Sequence, residues 1–293
     1  MALIDDYRHT YDRRVPAFDA ADGTRLAYHE IGEGPPLVCV PGGPMQASAY
    51  LGDLGGLSAH RRLVILDLRG TGESATPADA STYRCDRQVD DVEALRAQLG
   101  LDRIDLAGHS AGGSLAVQHA ARFPDRVSRL VLVNPSPRAV SVEIADADRG
   151  ELADLRRDEP WYPDTKAALE RIWSGDFTEA DWTAIAPLSY RRWDAASQAN
   201  EVQSERETNQ EAAMAYYSDG AADPPATRSA LRNLEAPVLL IAGEYDVGLP
   251  PKRAREFADL FPHAELAVLP RGGHYPWIDE PEWLVDTMSA FLR

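Results

Sequence analysis

Cysteine is nearly absent from this 293-residue chain: Cys39 and Cys85 are the only two, far apart and at no metal-ligand spacing. Two such thiols cannot staple a small secreted scaffold, and they do not suggest a zinc site, so two reduced thiols and no metal are expected. Lysine is as scarce, standing only at 166 and 252, so nearly all positive charge is arginine. Thirty Lys plus Arg face 47 Asp plus Glu, a net charge of -17. A polyanion would be repelled across most of such a surface, which argues against nucleic acid as a partner. Long hydrophobic runs are missing as well, since no segment approaches the roughly 20 apolar residues that span a bilayer. Met1 to Arg14 is charged and polar where a signal peptide needs an apolar stretch. The expectation is a cytoplasmic protein without a membrane partner.

What the chain does contain is a rhythm of short apolar runs. Residues 37–40, 63–66, 104–107, 130–133 and 238–241 are continuously apolar or nearly so, each followed by a turn and a helical pattern, and a last run at 266–269 precedes a terminal helix from near Pro281 to Arg293. Continuous rather than alternating apolar character marks strands covered on both faces. Their alternation with helices predicts a mostly parallel sheet flanked by helices. Pro16 to Ile31 alternates around Asp22-Gly23, as an antiparallel hairpin at the sheet edge would. Between Pro135 and about Asn233 the rhythm stops and the sequence turns helical, acidic and aromatic. We read an inserted helical cap at 135–233 between two parts of one core, 1–134 and 234–293, with Pro224-Pro225 marking the return.

Gly108-His109-Ser110-Ala111-Gly112 joins the run at 104–107 to a helix expected from Gly113 to about Arg122. A G-x-S-x-G sequence between a buried strand and a helix is the context of a nucleophile elbow, where the turn is so tight that the residues two before and two after the serine must be small. The pentapeptide alone also arises by chance, and its position is what makes it informative. A serine hydroxyl needs a base within hydrogen-bond reach and a third group to orient that base. Asp246, just beyond the run at 238–241, is the acid, with Glu244 a local competitor nearer the strand end. Of seven histidines, His274 alone lies between the last strand and the terminal helix, in Arg271-Gly272-Gly273-His274-Tyr275-Pro276, and is the base. His109 adjoins the nucleophile, but on so sharp a turn its side chain should point away from the serine Oγ, so a structural role is expected. Val40-Pro41-Gly42-Gly43-Pro44 follows the run at 37–40, and its glycines allow a backbone N–H to approach an oxyanion. Gly43 and Ala111 are the expected donors, although a plain connecting turn would also use glycine. No cofactor is called for, because water is the only co-substrate such chemistry needs.

With these motifs, and with Asp67-Leu68-Arg69-Gly70-Thr71-Gly72-Glu73-Ser74, the chain resembles the α/β-hydrolase superfamily over nearly its whole length. Gly42-Gly43-Pro44, the Gly112-Gly113 helix start and the helical cap further resemble the proline iminopeptidase family of serine peptidases. That family usually reads His-Gly-Gly-Pro-Gly; here Pro41 and Met45 flank the motif, and Ala111 stands where the family often has an aromatic residue. The resemblance implies hydrolysis of a small-molecule or short-peptide substrate through an acyl-enzyme, either a proline iminopeptidase-like amide or a small ester. It also implies that cap glutamates hold the substrate's free amine. Glu201 and Glu205 would share one face of a continuous helix by i, i+4 geometry, with Glu211 a further candidate on the same helix, and a solvated acidic helix would look the same. Cap aromatics, Tyr190 and Trp193 among them, either line an apolar pocket or pack cap onto core. The altered Pro41 and Met45 loop keeps a second class open: a non-hydrolytic lyase or cyclase on the same fold, or a ligand receptor.

Overall fold

The structure is a computed structural model and describes residues 15–293; the expectation drawn from Met1 to Arg14 lies outside the described residues. Among the described residues eight strands form one sheet: β1 (Ala17–Asp19), β2 (Arg25–Ile31), β3 (Pro36–Val40), β4 (Arg62–Leu66), β5 (Ile104–His109), β6 (Val127–Val133), β7 (Val238–Gly243) and β8 (Ala264–Leu269). Their spatial order is β1-β2-β4-β3-β5-β6-β7-β8. β1 with β2 and β2 with β4 are antiparallel, and the remaining neighbours are parallel. The edge hairpin pairs Ala17 with Ala27 around the Asp22-Gly23 turn.

The continuous apolar runs feed two cores, one on each face of the sheet. Val38, Val40, Val64, Leu66, Leu130, Leu132, Val238 and Leu240 are buried on one side; Leu37, Cys39, Leu63, Ile65, Val131, Val133, Leu239 and Ile241 are buried on the other. This is the period-2 alternation of a strand with both faces covered. Each such aliphatic side chain contributes about 1.5–3 kcal/mol relative to exposure. β8, the last strand in the order, is only partly buried over most of its length.

Helices α1 (Cys85–Gln98) and α2 (Ala111–Arg122) precede β6. α2 begins two residues earlier than its sequence pattern suggests, because Ser110 itself stands at the N-cap position. Between β6 and β7 run α3 (Asp146–Asp154), α4 (Tyr162–Ser174), α5 (Glu179–Ile185), a short 3-10 turn at Ala186–Ser189, α6 (Ala195–Glu207), α7 (Gln210–Tyr216) and α8 (Pro224–Leu231). Ala212, Tyr216 and Leu231, from the last two of these helices, are buried in the same core as α2. α9 (Pro251–Ala258), α10 (Pro276–Asp279) and α11 (Pro281–Phe291) complete the chain. Among the described residues, no helix is long and apolar enough to cross a membrane.

Candidate active site

β5 runs into α2 through Ser110, whose φ of 51° and ψ of -120° place a residue with a side chain at a backbone position that favours glycine. The neighbouring glycines have no room for more. A Cβ on Gly112 would lie 2.4 Å from the carbonyl oxygens of both Val40 and Pro41, one on Gly108 2.5 Å from the Gly112 oxygen, and one on Gly113 2.5 Å from Pro135 Cβ. The elbow is therefore pressed onto the end of β3 by backbone that cannot yield cheaply. Gly112→Ala is expected to destabilise the protein by about 2 kcal/mol or more, the scale of an overpacked core. Chemical denaturation of the variant checks this, and an unchanged midpoint would show that the elbow is looser than described.

The acid and base candidates meet. His274, in the loop after β8, shares a hydrogen bond of 2.9 Å between its Nδ1 and Asp246 Oδ2. The other carboxylate oxygen of Asp246 accepts the Gly248 N–H at 2.8 Å, and the Asp246 side chain is buried. Both oxygens being engaged, the ring is held by a carboxylate that cannot swing away. Burial of the His274 ring disfavours its cation, but the charge and hydrogen bond of Asp246, joined by the charge of Glu201, outweigh this and raise its pKa above the usual 6.5. Glu244 takes another path: its Oε2 accepts the Arg271 N–H at 2.6 Å, bracing the turn that carries His274.

A set of contacts that sequence reasoning missed joins this pair to the elbow. Asn134, one residue beyond β6, accepts the Gly243 N–H at 2.8 Å and donates from Nδ2 to the carbonyl oxygens of Gly273 (3.0 Å) and His274 (2.9 Å). The His274 N–H donates to Ser189 O at 2.7 Å, and Asp279 accepts the N–H groups of Gly273 (2.6 Å) and Arg191 (3.2 Å). The His274 loop is thus gripped by the sheet on one side and by the 186–191 segment on the other. His109, buried, hydrogen-bonds the His274 carbonyl through Nε2 at 3.0 Å and the Tyr50 hydroxyl through Nδ1 at 2.8 Å. The one available sequence signal was Asn134 itself, a polar residue at the carboxyl end of a buried strand, where sites of open α/β sheets gather.

The glycine loop also reaches the elbow. A Cβ on Gly42 would lie 2.7 Å from Ser110 Cβ and 3.3 Å from Ala111 N, so the two backbones are in contact. Gly43 has φ of 116°, a conformation open to glycine and strained for other residues. The loop is tied to the C-terminal end of α6: Gln46 bridges Thr208, Asn209 N–H donates to Met45 O, and Ala47 N–H donates to Glu207 O, the last two at 3.0 Å. In the 67–74 loop, Asp67 accepts the Ser48 N–H at 3.0 Å and the Glu73 N–H at 3.0 Å, which steadies the segment following the glycines.

Of the candidate glutamates between β6 and β7, Glu201 is the one whose charge acts on His274. It is half-buried, accepts the Tyr190 hydroxyl at 2.8 Å, and has its pKa raised by burial despite that bond, with the nearby charge of Glu205 adding to the shift. Glu205 is exposed. Glu211 does not continue their face: α6 ends at Glu207, the chain turns through Thr208, and Asn209 caps α7 by accepting the Ala212 N–H, so the single helix expected over 201–211 is two. Tyr190 is buried and stacks on Tyr275 with ring centres 5.1 Å apart, while Trp193 packs 5.5 Å from Tyr190.

With this geometry in view, the chain belongs to the α/β-hydrolase fold family, whose pattern it matches over residues 35–281. Within that family it resembles proline iminopeptidases. The proline iminopeptidase of Heyndrickxia coagulans is 24% identical over 282 residues, covering 91% of this chain and 93% of its own. The crystal structure of the Mycobacterium smegmatis proline iminopeptidase superposes with a TM-score of 0.74 at 24% identity, covering 94% of this chain and 97% of that one. A Bacillus subtilis (strain 168) protein with the provisional name 2-succinyl-6-hydroxy-2,4-cyclohexadiene-1-carboxylate synthase is 29% identical over 281 residues, covering 93% of this chain and 96% of its own.

Proposed function

We propose that this protein is a serine hydrolase that works through an acyl-enzyme on a small amide or short peptide with a free amino terminus. The observation that carries the reading is the hydrogen-bonded His274–Asp246 pair on a loop that His109, the neighbour of the strained Ser110, bonds directly. In this reading Ser110 Oγ attacks the substrate carbonyl while His274 Nε2 accepts its proton. The backbone N–H groups of Gly43 and Ala111 receive the developing negative charge on the carbonyl oxygen. The imidazolium, stabilised by Asp246, then returns the proton to the leaving amine, and a water activated by the same ring releases the acyl group. The cap segment at 135–233 would cover the site. Glu201 supports an amine-bearing substrate, because a carboxylate close enough to act on the His274 charge would hold an ammonium near the scissile bond. Tyr190 fixes Glu201, Trp193 packs behind Tyr190, and Glu205 adds negative charge to the approach.

A panel of aminoacyl p-nitroanilides beside p-nitrophenyl esters tests the substrate class. Preference for a free N-terminal proline, lost on blocking the amine, is the expected result; turnover of esters alone would overturn the amine-binding role. The synthase relative favours a second reading, a non-hydrolytic lyase, in which Ser110 forms no acyl adduct with any substrate.

The pH dependence has a definite sign. The reaction needs His274 neutral, so activity rises with pH through a pKa above 6.5. Glu201→Gln removes a charge that favours the imidazolium and shifts this rising limb to lower pH, which a kcat/KM profile from pH 5 to 9 reads. Stability runs the other way: a folded pKa above the unfolded value stabilises the fold fully below about 6.5, and that contribution fades as pH passes the folded value.

A further inference from the structure

Tyr50 and His109 take no part in the acyl-transfer steps above, yet they lie between the two loops those steps need. The hydrogens can be assigned from the partners alone. The His274 carbonyl can only accept, so His109 Nε2 carries a proton toward it at 3.0 Å. The Gly42 N–H can only donate, so the Tyr50 oxygen receives it at 2.6 Å and must send its own proton elsewhere. The remaining bond is the 2.8 Å contact between Tyr50 and His109 Nδ1, where the hydroxyl donates to a bare ring nitrogen. A second proton on His109 would leave the Tyr50 hydrogen without this acceptor. Burial and the proximity of His274 keep His109 neutral, holding its pKa well below 6.5. One consistent chain results: Gly42 N–H to Tyr50, Tyr50 O–H to His109, His109 N–H to the His274 carbonyl.

The two ends of this chain are the glycine loop and the base loop. At the first end, Gly42 is held on both sides, its N–H by Tyr50 and its carbonyl by the Gln46 N–H at 3.2 Å. In a trans peptide the carbonyl and the following N–H point in opposite directions, so fixing the Gly42 carbonyl aims the Gly43 N–H away from Gln46. At the other end, His109 and Asn134 converge on the one carbonyl of His274. The rings that carry the chain are caged: Tyr50 packs against Tyr275 and Trp277 at 6.4 and 6.0 Å, and His109 against Trp277 at 4.7 Å.

We infer that Tyr50 and His109 are positioning residues, a directed hydrogen-bond relay that sets the oxyanion loop and the base loop in register across Ser110. The inference rests on the serine-hydrolase reading and deepens it, because it names what aligns an amide donor and a base that are carried by separate strands. The relay acts on the transition state, whose oxyanion needs the Gly43 N–H within a few tenths of an ångström, and leaves substrate binding nearly alone.

The test compares Tyr50→Phe, His109→Gln and the double variant with the native protein. The readouts are the rate constant of Ser110 labelling by a fluorophosphonate, and kcat and KM on prolyl p-nitroanilide or p-nitrophenyl acetate, whichever the native protein turns over. Phenylalanine keeps the caged ring and removes only the hydroxyl. Tyr50→Phe should lower both labelling and kcat by about 10- to 100-fold, less than the loss of a whole oxyanion donor, with KM within about threefold. Glutamine at 109 keeps an N–H that can donate to the His274 carbonyl and removes the ring nitrogen that accepts from Tyr50. The double variant should be no slower than the slower single variant within about threefold, the mark of residues acting as one unit. Labelling and kcat at native values in Tyr50→Phe, a rise in KM alone, or fully multiplicative losses in the double variant would each overturn the relay. A lowered melting temperature with unchanged labelling of the folded protein would do the same. Should His109→Gln not fold, Tyr50→Phe alone decides. If the native protein is labelled at Ser110 and Tyr50→Phe matches it, only the relay falls; if the native protein is not labelled, the hydrolase reading falls and takes the relay with it.

Discussion

Ser110→Ala is expected to abolish turnover, lowering kcat on the order of 10⁶-fold, the loss found when a serine nucleophile is removed from a triad. The physical reason is that the covalent route disappears altogether, while binding and the backbone donors survive. Alanine also tolerates the site: Ser110 stands at φ 51°, and the strain there belongs to the elbow more than to the hydroxyl. The fold should be retained, so the melting temperature will match or exceed that of the native protein, as is common when active-site strain or polarity is relieved. Steady-state kinetics beside a thermal melt check both halves. Native activity in the variant would remove Ser110 from the chemistry.

Asp246→Asn is the second large effect, a loss in kcat of about 10⁴-fold with the shape of the site preserved. Asp246 accepts two hydrogen bonds, from Gly248 N–H and from His274. An asparagine can keep only one acceptor oxygen. If that oxygen stays with Gly248, the amide NH₂ faces His274 Nδ1 and forces the proton onto Nε2, the nitrogen that must be bare to take the serine proton. Removing the carboxylate charge also removes a main influence that raises the His274 pKa, so the residual activity should rise at lower pH than in the native protein. A loss smaller than about tenfold would mean that His274 is oriented by its loop and not by Asp246.

The sheet was legible because its strands are buried on both faces, and a run such as Val238 to Ile241 has few alternatives to a central strand. That Asp246 and His274 would meet was legible for a related reason: each follows a recognisable strand, and those strands, β7 and β8, are neighbours in the sheet. Tyr50, Asn134 and Asp279 were not. Their contacts join segments distant in the chain, Tyr50 to His109, Asp279 to Arg191 and Asn134 to His274 140 residues away, and no local pattern encodes such a contact. The glutamate face failed for a local reason. Residues 201–211 have the spacing of one helix, but Asn209 caps a new one, and the bridge from Thr208 to Gln46 turns the chain before Glu211. His109 was legible only as structural; that its ring spans the two loops required the position of Tyr50.

A serine hydrolase of this kind requires Ser110 to be an activated nucleophile in the folded protein. Intact-mass and peptide analysis after exposure to a fluorophosphonate tests this without knowledge of the substrate. One adduct is predicted, located on Ser110, forming faster as pH rises through the His274 titration and nearly abolished in His274→Ala. A folded protein that gains no adduct, or gains it on another residue, would contradict the account.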